Sequence, residues 1–113
     1  MDEPLEKKRC VPCRGDVPPL KGQALQELLE RLGGGWTLAG EHHLEKVFQF
    51  RDYRETIRFV NIIAEIAEEQ NHHPDLHVSW GRVTVVIYTH KIDGLTESDF
   101  VLAARFDAAL KAL

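Results

Sequence analysis

The sequence predicts an α+β fold: a two-layer, mainly antiparallel four-stranded sheet with helices on one face, in the order α-β-β-α-β-β-α. Three observations predict it. Two pairs of short segments alternate apolar and polar residues with period two, and a glycine lies between the members of each pair. Three other segments repeat apolar residues at helical spacing. Helices and hairpins alternate along the chain, an order that packs one helical layer on one sheet. The 113 residues suit a single domain, and a domain of this size hides roughly 60–70% of its unfolded surface.

Each element has its own signal. Residues 1–19 carry Pro4, Pro12, Pro18 and Pro19 among mixed charges and no sustained period, so a weakly ordered leader is expected there, followed by the folded domain over 20–113. Leu25, Leu28, Leu29 and Leu32 form one helical stripe, and Gly33-Gly34-Gly35 ends it. Trp36 to Ala39 is β-compatible, Gly40-Glu41 turns, and residues 42–50 alternate, with Leu44, Lys46, Phe48 and Phe50 sharing a side that Lys46 makes imperfectly apolar. Asp52 with Glu55 marks a helix start, and the helix runs to about Gln70 with a stripe of Tyr53, Ile57, Val60, Ala64 and Ala67. Asn71 suits the position after a helix, and Pro74 forbids continuation. Leu76, Val78 and Trp80, then Val83, Val85, Ile87 and Thr89, give a second hairpin turning at Gly81-Arg82. Thr96 and Asp99 form a capping box for the last helix, whose expected inner face is Leu102, Phe106, Ala109, Leu110 and Leu113.

Composition narrows the function. Apolar residues are 43% and charged residues 28%, a globular balance. The net charge of −4 argues against nucleic acid as a partner, since a phosphate-backbone binder shows a basic patch. No apolar run reaches the length of a membrane span. The first eight residues hold no apolar segment of a secretory signal, so a cytoplasmic location is expected. Cys10 and Cys13 form one C-x-x-C; a zinc site needs four ligands and a thioredoxin-like motif needs a βαβ context, so two reduced thiols in the leader are expected.

Chemistry concentrates in Glu68-Glu69-Gln70-Asn71-His72-His73-Pro74-Asp75, where a helix stops and a strand starts, together with His90 at the end of the last strand. Imidazole titrates nearest neutrality and can give or take a proton at working pH, with gains of roughly 10²–10⁴ in rate. A helix C-terminus favours the imidazolium form. Two readings are open at this point: side chains that merely cap free carbonyls, or an acid–base site. A metal ligated by His72, His73 and His90 ranks below proton transfer, because adjacent histidines point apart and no H-E-x-x-H is present. No G-x-G-x-x-G, Walker A or G-x-S-x-G motif occurs.

Asn71-His72-His73-Pro74, then Trp80, Thr89-His90 and Gly94-Leu95-Thr96-Glu97-Ser98-Asp99, with Gly35-Trp36 and Phe48-Gln49-Phe50-Arg51-Asp52-Tyr53 upstream, resembles the pterin-4a-carbinolamine dehydratase family over about residues 20–113. The resemblance implies dehydration of 4a-hydroxytetrahydropterin to quinonoid dihydropterin, which recycles the pterin of aromatic amino acid hydroxylases. It implies no metal and no cofactor besides the pterin substrate, a homodimer or homotetramer, and a pterin-dependent hydroxylase as a functional partner. The three catalytic histidines of the family correspond to His72, His73 and His90, and its acidic helpers to Glu68 and Asp99. Asp99 equally fits a plain capping role, and Glu68 a solvated surface.

The bond broken assigns expected roles. The carbinolamine loses hydroxide at C4a and a proton at N5, so His72 and His90 are expected to transfer protons, while His73 is expected to hydrogen-bond the substrate and to assist as an acid. Trp80 and Trp36 are candidates for a wall against the flat ring, and Thr89 for substrate binding or orientation. Leu76 stands where the family often has an aromatic residue, and Tyr88 is bulky enough to narrow the cleft. His42, His43 and His77 are read as strand-surface residues. The alternative function is a non-catalytic protein-binding module on the same fold: animal members of the family act as dimerisation cofactors for a homeodomain transcription factor, and an assembly factor is a related possibility.

Overall fold

A computed structural model describes residues 3–11 and 17–113; Cys13 and Pro12 lie outside the described residues. Helix α1 spans Gln23–Leu32, strand β1 Thr37–Ala39, β2 His43–Gln49, helix α2 Tyr53–Gln70, β3 Asp75–Ser79, β4 Arg82–Ile87 and helix α3 Glu97–Lys111. The four strands form one antiparallel sheet in the order β1-β2-β4-β3. The architecture is the α+β arrangement expected, with two added 3-10 turns at Leu5–Lys7 and His90–Ile92.

Register explains the core. Leu44 pairs with Ile87 and Phe48 with Val83, while Lys46 pairs with Val85. This face buries Leu44, Phe48, Val83, Val85 and Ile87 against the helices. Lys46 belongs to the same face and is accommodated there by an ion pair of 2.8 Å with Asp107 of α3. Asp107 also accepts the Trp36 indole N–H at 2.9 Å. A mostly buried cation is tolerable when its charge is met and its stem packs.

Two helical stripes differ from expectation. On α2 the buried residues are Thr56, Phe59, Ile63, Ala67 and Gln70, so the inner face is rotated relative to the expected stripe, and Tyr53 and Ala64 are exposed. Phe59 and Ile63, bulkier than Ala64, take the inner face together with Ala67. Helix α3 is buried over Ser98–Ala104 as well as at Phe106, because α1, α2 and the N-terminal segment all pack on it. Leu113, expected inside, is exposed. An enclosed helix shows little amphipathic period, so the expected stripe located Leu102 and Phe106 in the core but not the burial around the rest of the helix.

Within the segment read as a weakly ordered leader, described residues from Leu5 to Val11 are tied to the domain. Leu5 is buried, the Arg105 guanidinium donates to the Lys8 carbonyl (Nε 2.8 Å), and Lys8 pairs with Glu97 at 2.7 Å. Proline punctuation left only the short 3-10 turn Leu5–Lys7 there but did not forbid packing.

Candidate active site

The end of α2 is built by its backbone. Asn71 takes the left-handed conformation, φ 53°. Its N–H bonds the Glu68 carbonyl at 3.2 Å, and the His72 N–H bonds the Ala67 carbonyl at 3.1 Å. This is the Schellman arrangement. The open carbonyls are thus met by main-chain donors, and the His72 ring is released from capping duty.

The ring is aimed at Asp99. His72 Nε2 lies 2.6 Å from Asp99 Oδ1, and the Asp99 side chain is fully buried. The other carboxylate oxygen accepts the Thr96 N–H at 2.8 Å and the Thr89 hydroxyl at 2.8 Å. Asp99 therefore serves both readings made of it: Oδ2 closes the capping box and Oδ1 orients a histidine. A carboxylate that can only accept requires Nε2–H on neutral His72, which leaves Nδ1 as the proton acceptor.

The other histidines approach from adjacent element ends. His73 contacts the Glu68 carboxylate across the helix terminus. Thr89 forms an antiparallel bridge with Gly94, and the 3-10 turn between them presents His90. His90 Nε2 lies 3.8 Å from Asp75 Oδ2. Tyr88 packs edge-on against His90, ring centroids 4.2 Å apart. A cleft of about 300 Å³ is lined by His72, His73, His90, Thr89, Tyr88 and Val11 among others. His72, His73 and His90, distant in the chain, share this one cleft.

Some expectations are not met. Trp80 is 67% exposed at the β3–β4 turn, at the opposite end of the strand from His73. Five strand residues at about 3.3 Å each separate it from the cleft. Trp36 is buried in the core with its N–H committed to Asp107. Neither tryptophan walls the cleft; Tyr88 and Val11 supply its apolar surface. His42 and His43 are half-buried rather than solvated. His42 packs on Tyr88 at 4.6 Å and bonds Asp93 through Nε2 at 2.7 Å, so it supports the ring that supports His90. Its signal was hidden in register: Leu44 opposite Ile87 sets His43 beside Tyr88, and no local pattern reveals that pairing. His77 is exposed, as read. Among the described residues, no group of three or more His, Cys, Asp or Glu is arranged to hold a metal ion, and no helix is long and apolar enough to cross a membrane.

The profile of the family described as pterin 4 alpha carbinolamine dehydratase matches residues 18–109. The chain belongs to that family. A Rubrobacter xylanophilus relative, carrying the dehydratase name provisionally, is 57% identical over 103 residues, covering 91% of this chain and 95% of its own. A Rickettsia bellii relative, named in the same provisional way, is 50% identical over 91% of each chain. Two solved structures share the fold. A transcriptional coactivator/pterin dehydratase from Brucella melitensis superposes with TM-score 0.74 at 31% identity, covering 80% of this chain and 96% of that one. A pterin dehydratase-like protein identified as a RuBisCO assembly factor in the alpha-carboxysome superposes with TM-score 0.58 at 26% identity, covering 68% and 90%.

Proposed function

We propose that this protein dehydrates 4a-hydroxytetrahydropterin to quinonoid dihydropterin and water by histidine acid–base catalysis. The observation that carries the proposal is the placement of His72, His73 and His90 around one cleft, with His72 held by a fully buried carboxylate. A scaffold has no physical need for three imidazoles facing one solvent-filled space.

The reaction needs one proton delivered and one removed. The C4a–O bond breaks with its electron pair leaving on oxygen, the N5–H bond breaks, and C4a=N5 forms. A proton donor on the oxygen lets water rather than hydroxide depart. His72 accepts a proton at Nδ1, because Asp99 holds the tautomer with Nε2–H. His90, steadied by Tyr88 and facing Asp75, takes the opposite transfer as the leaving-group acid. His73 with Glu68 binds the hydroxyl or the ring edge. In this reading the substrate is a pterin made by a hydroxylase in the same cytoplasm, and the working species is a homodimer or homotetramer.

The test is a direct one. The carbinolamine is generated in solution, and its ultraviolet decay is followed with and without micromolar protein. Acceleration supports the proposal; an unchanged decay overturns it. A second reading, a protein-binding module without catalysis, is favoured by the likeness to an assembly factor. It predicts no acceleration, together with retention of a specific partner after Ala replaces all three histidines.

A further inference from the structure

The segment Cys10–Val11 lies outside the residues matched by the family profile, yet it joins both helix ends that carry the His72–Asp99 pair. From the end of α2, Gln70 Oε1 accepts the Cys10 N–H at 2.9 Å. From the start of α3, Ser98 Oγ accepts the Val11 N–H at 2.8 Å, and the Ser98 carbonyl accepts from the Cys10 thiol at 3.4 Å. Gln70 precedes His72 by two residues, and Ser98 adjoins Asp99. Upstream, the Arg105 contact with the Lys8 carbonyl and the burial of Leu5 anchor the same strand of chain to α3.

At the end of this anchored run, the Val11 side chain is 70% exposed. Its backbone is fixed by hydrogen bonds, but its methyls pack on little of the protein. Val11 lines the cleft together with Tyr88. Among the described residues that line it, Val11 and Tyr88 are the least polar side chains. A flat heterocycle entering the cleft gains affinity by losing water against such surface.

We propose that Val11 is a substrate-contacting residue that sets affinity for the pterin ring, and that the hydrogen bonds donated by the Cys10 and Val11 backbone to Gln70 and Ser98 hold it at the cleft. This inference rests on the dehydratase reading and adds an element from outside the matched residues. Cys10 and Ser98 act here as positioning residues, because they reach the substrate only through Val11.

The full-length chain carrying Val11→Ala, Val11→Ile or Ser98→Ala is compared with the parent in two assays. One is steady-state dehydration of the 4a-hydroxypterin. The other is the dissociation constant for 6,7-dimethylpterin, an oxidised and unreactive probe, read by pterin fluorescence. Removing two methyl groups that the ring covers only in part weakens binding roughly three- to tenfold, less than the roughly fifteenfold of full burial. Val11→Ala is expected to raise KM and the probe's Kd together by that factor, with kcat changed less than KM. Val11→Ile is expected to keep both near parental values. Ser98→Ala, which leaves Val11 in place but removes its anchor, is expected to move KM in the same direction. Val11→Ala shortens an exposed side chain, so its result is not confused with unfolding. Unchanged KM and Kd in Val11→Ala, with the parent active, overturn this inference alone. A parent that binds the probe without dehydrating the carbinolamine overturns the enzyme reading, and the ratio of Kd values then decides on Val11. A parent that binds no pterin overturns both.

Discussion

Replacing Asp99 with Asn changes the carboxylate by one atom and tests the core of the proposed mechanism. Thr96 N–H and the Thr89 hydroxyl both donate to Oδ2, each at 2.8 Å. The amide oxygen of Asn must therefore stay on that side, and its NH₂ must face His72 Nε2. An NH₂ group only donates, so His72 has to accept at Nε2 and carry its proton on Nδ1. The nitrogen left for substrate turns from acceptor to donor. Two magnitudes follow. Three close hydrogen bonds lose their charge assistance, about 1 kcal/mol each on the difference between charged and neutral pairs. A neutral amide is cheaper to bury than a carboxylate, which offsets part of this. The net loss of about 1–2 kcal/mol lowers Tm by roughly 5–10 °C and leaves a domain of ordinary stability folded. The loss of the base costs roughly 10²–10⁴ in kcat, or about 3–5 kcal/mol of barrier. The catalytic effect exceeds the structural one, so activity falls in a folded protein. The assay pairs the decay of the carbinolamine with ¹⁵N shifts of His72, which report the tautomer. A flipped tautomer with a rate within a few-fold of the parent refutes the role given to His72 and Asp99.

Three further outcomes are expected. His72→Ala and His90→Ala each slow dehydration at least tenfold while circular dichroism stays unchanged; two variants of full rate show that the proton carriers are wrongly assigned. Gly34→Ala destabilises by about 2 kcal/mol in urea unfolding without altering the dehydration rate, because Gly34 has φ +71° and an added Cβ meets Asp107 Oδ2 at 2.4 Å, disturbing the carboxylate that serves Lys46 and Trp36. Burial first, and the Asp99 charge second, push the Cys10 thiol up from 9.0 to about 11 despite the opposing Arg105. The folded state thus holds this proton where the unfolded chain has lost it, so the contribution of Cys10 to stability is full below about pH 9 and is lost as pH rises through about 11. Cys10→Ala is expected to lessen that alkaline fall in a pH series of unfolding curves, and an identical fall in the variant contradicts the assignment.

The parts legible in the linear chain were those decided by neighbours in sequence. Asp52 accepting the Glu55 N–H at 2.8 Å, Asn71 in the left-handed conformation and the Thr96–Asp99 capping box stand where their residue types placed them. Capping and turn chemistry act across three or four residues, within reach of a local pattern. The three histidines, Thr89 and the two carboxylates were legible through the motif, whose spacing records contacts that periodicity alone does not reveal. Trp80 shows the limit of such reading. It belongs to the motif, but its position at a hairpin tip sets it a strand's length from the cleft.

Period and punctuation alone settled the three α-helices and two hairpins of the described residues, because hydrogen-bond geometry imposes 3.6- and 2-residue repeats on whatever must bury apolar surface. Which faces meet was decided only when the elements packed. Strand order put β2 beside β4, which brought His42 onto Tyr88; enclosure of α3 buried Asp99 where it can reach both Thr89 and His72; and proline-punctuated chain, featureless by period, folded back to put Val11 at the cleft. These are contacts between residues from ten to several tens of positions apart, and they depend on volumes and registers that no short stretch of chain encodes.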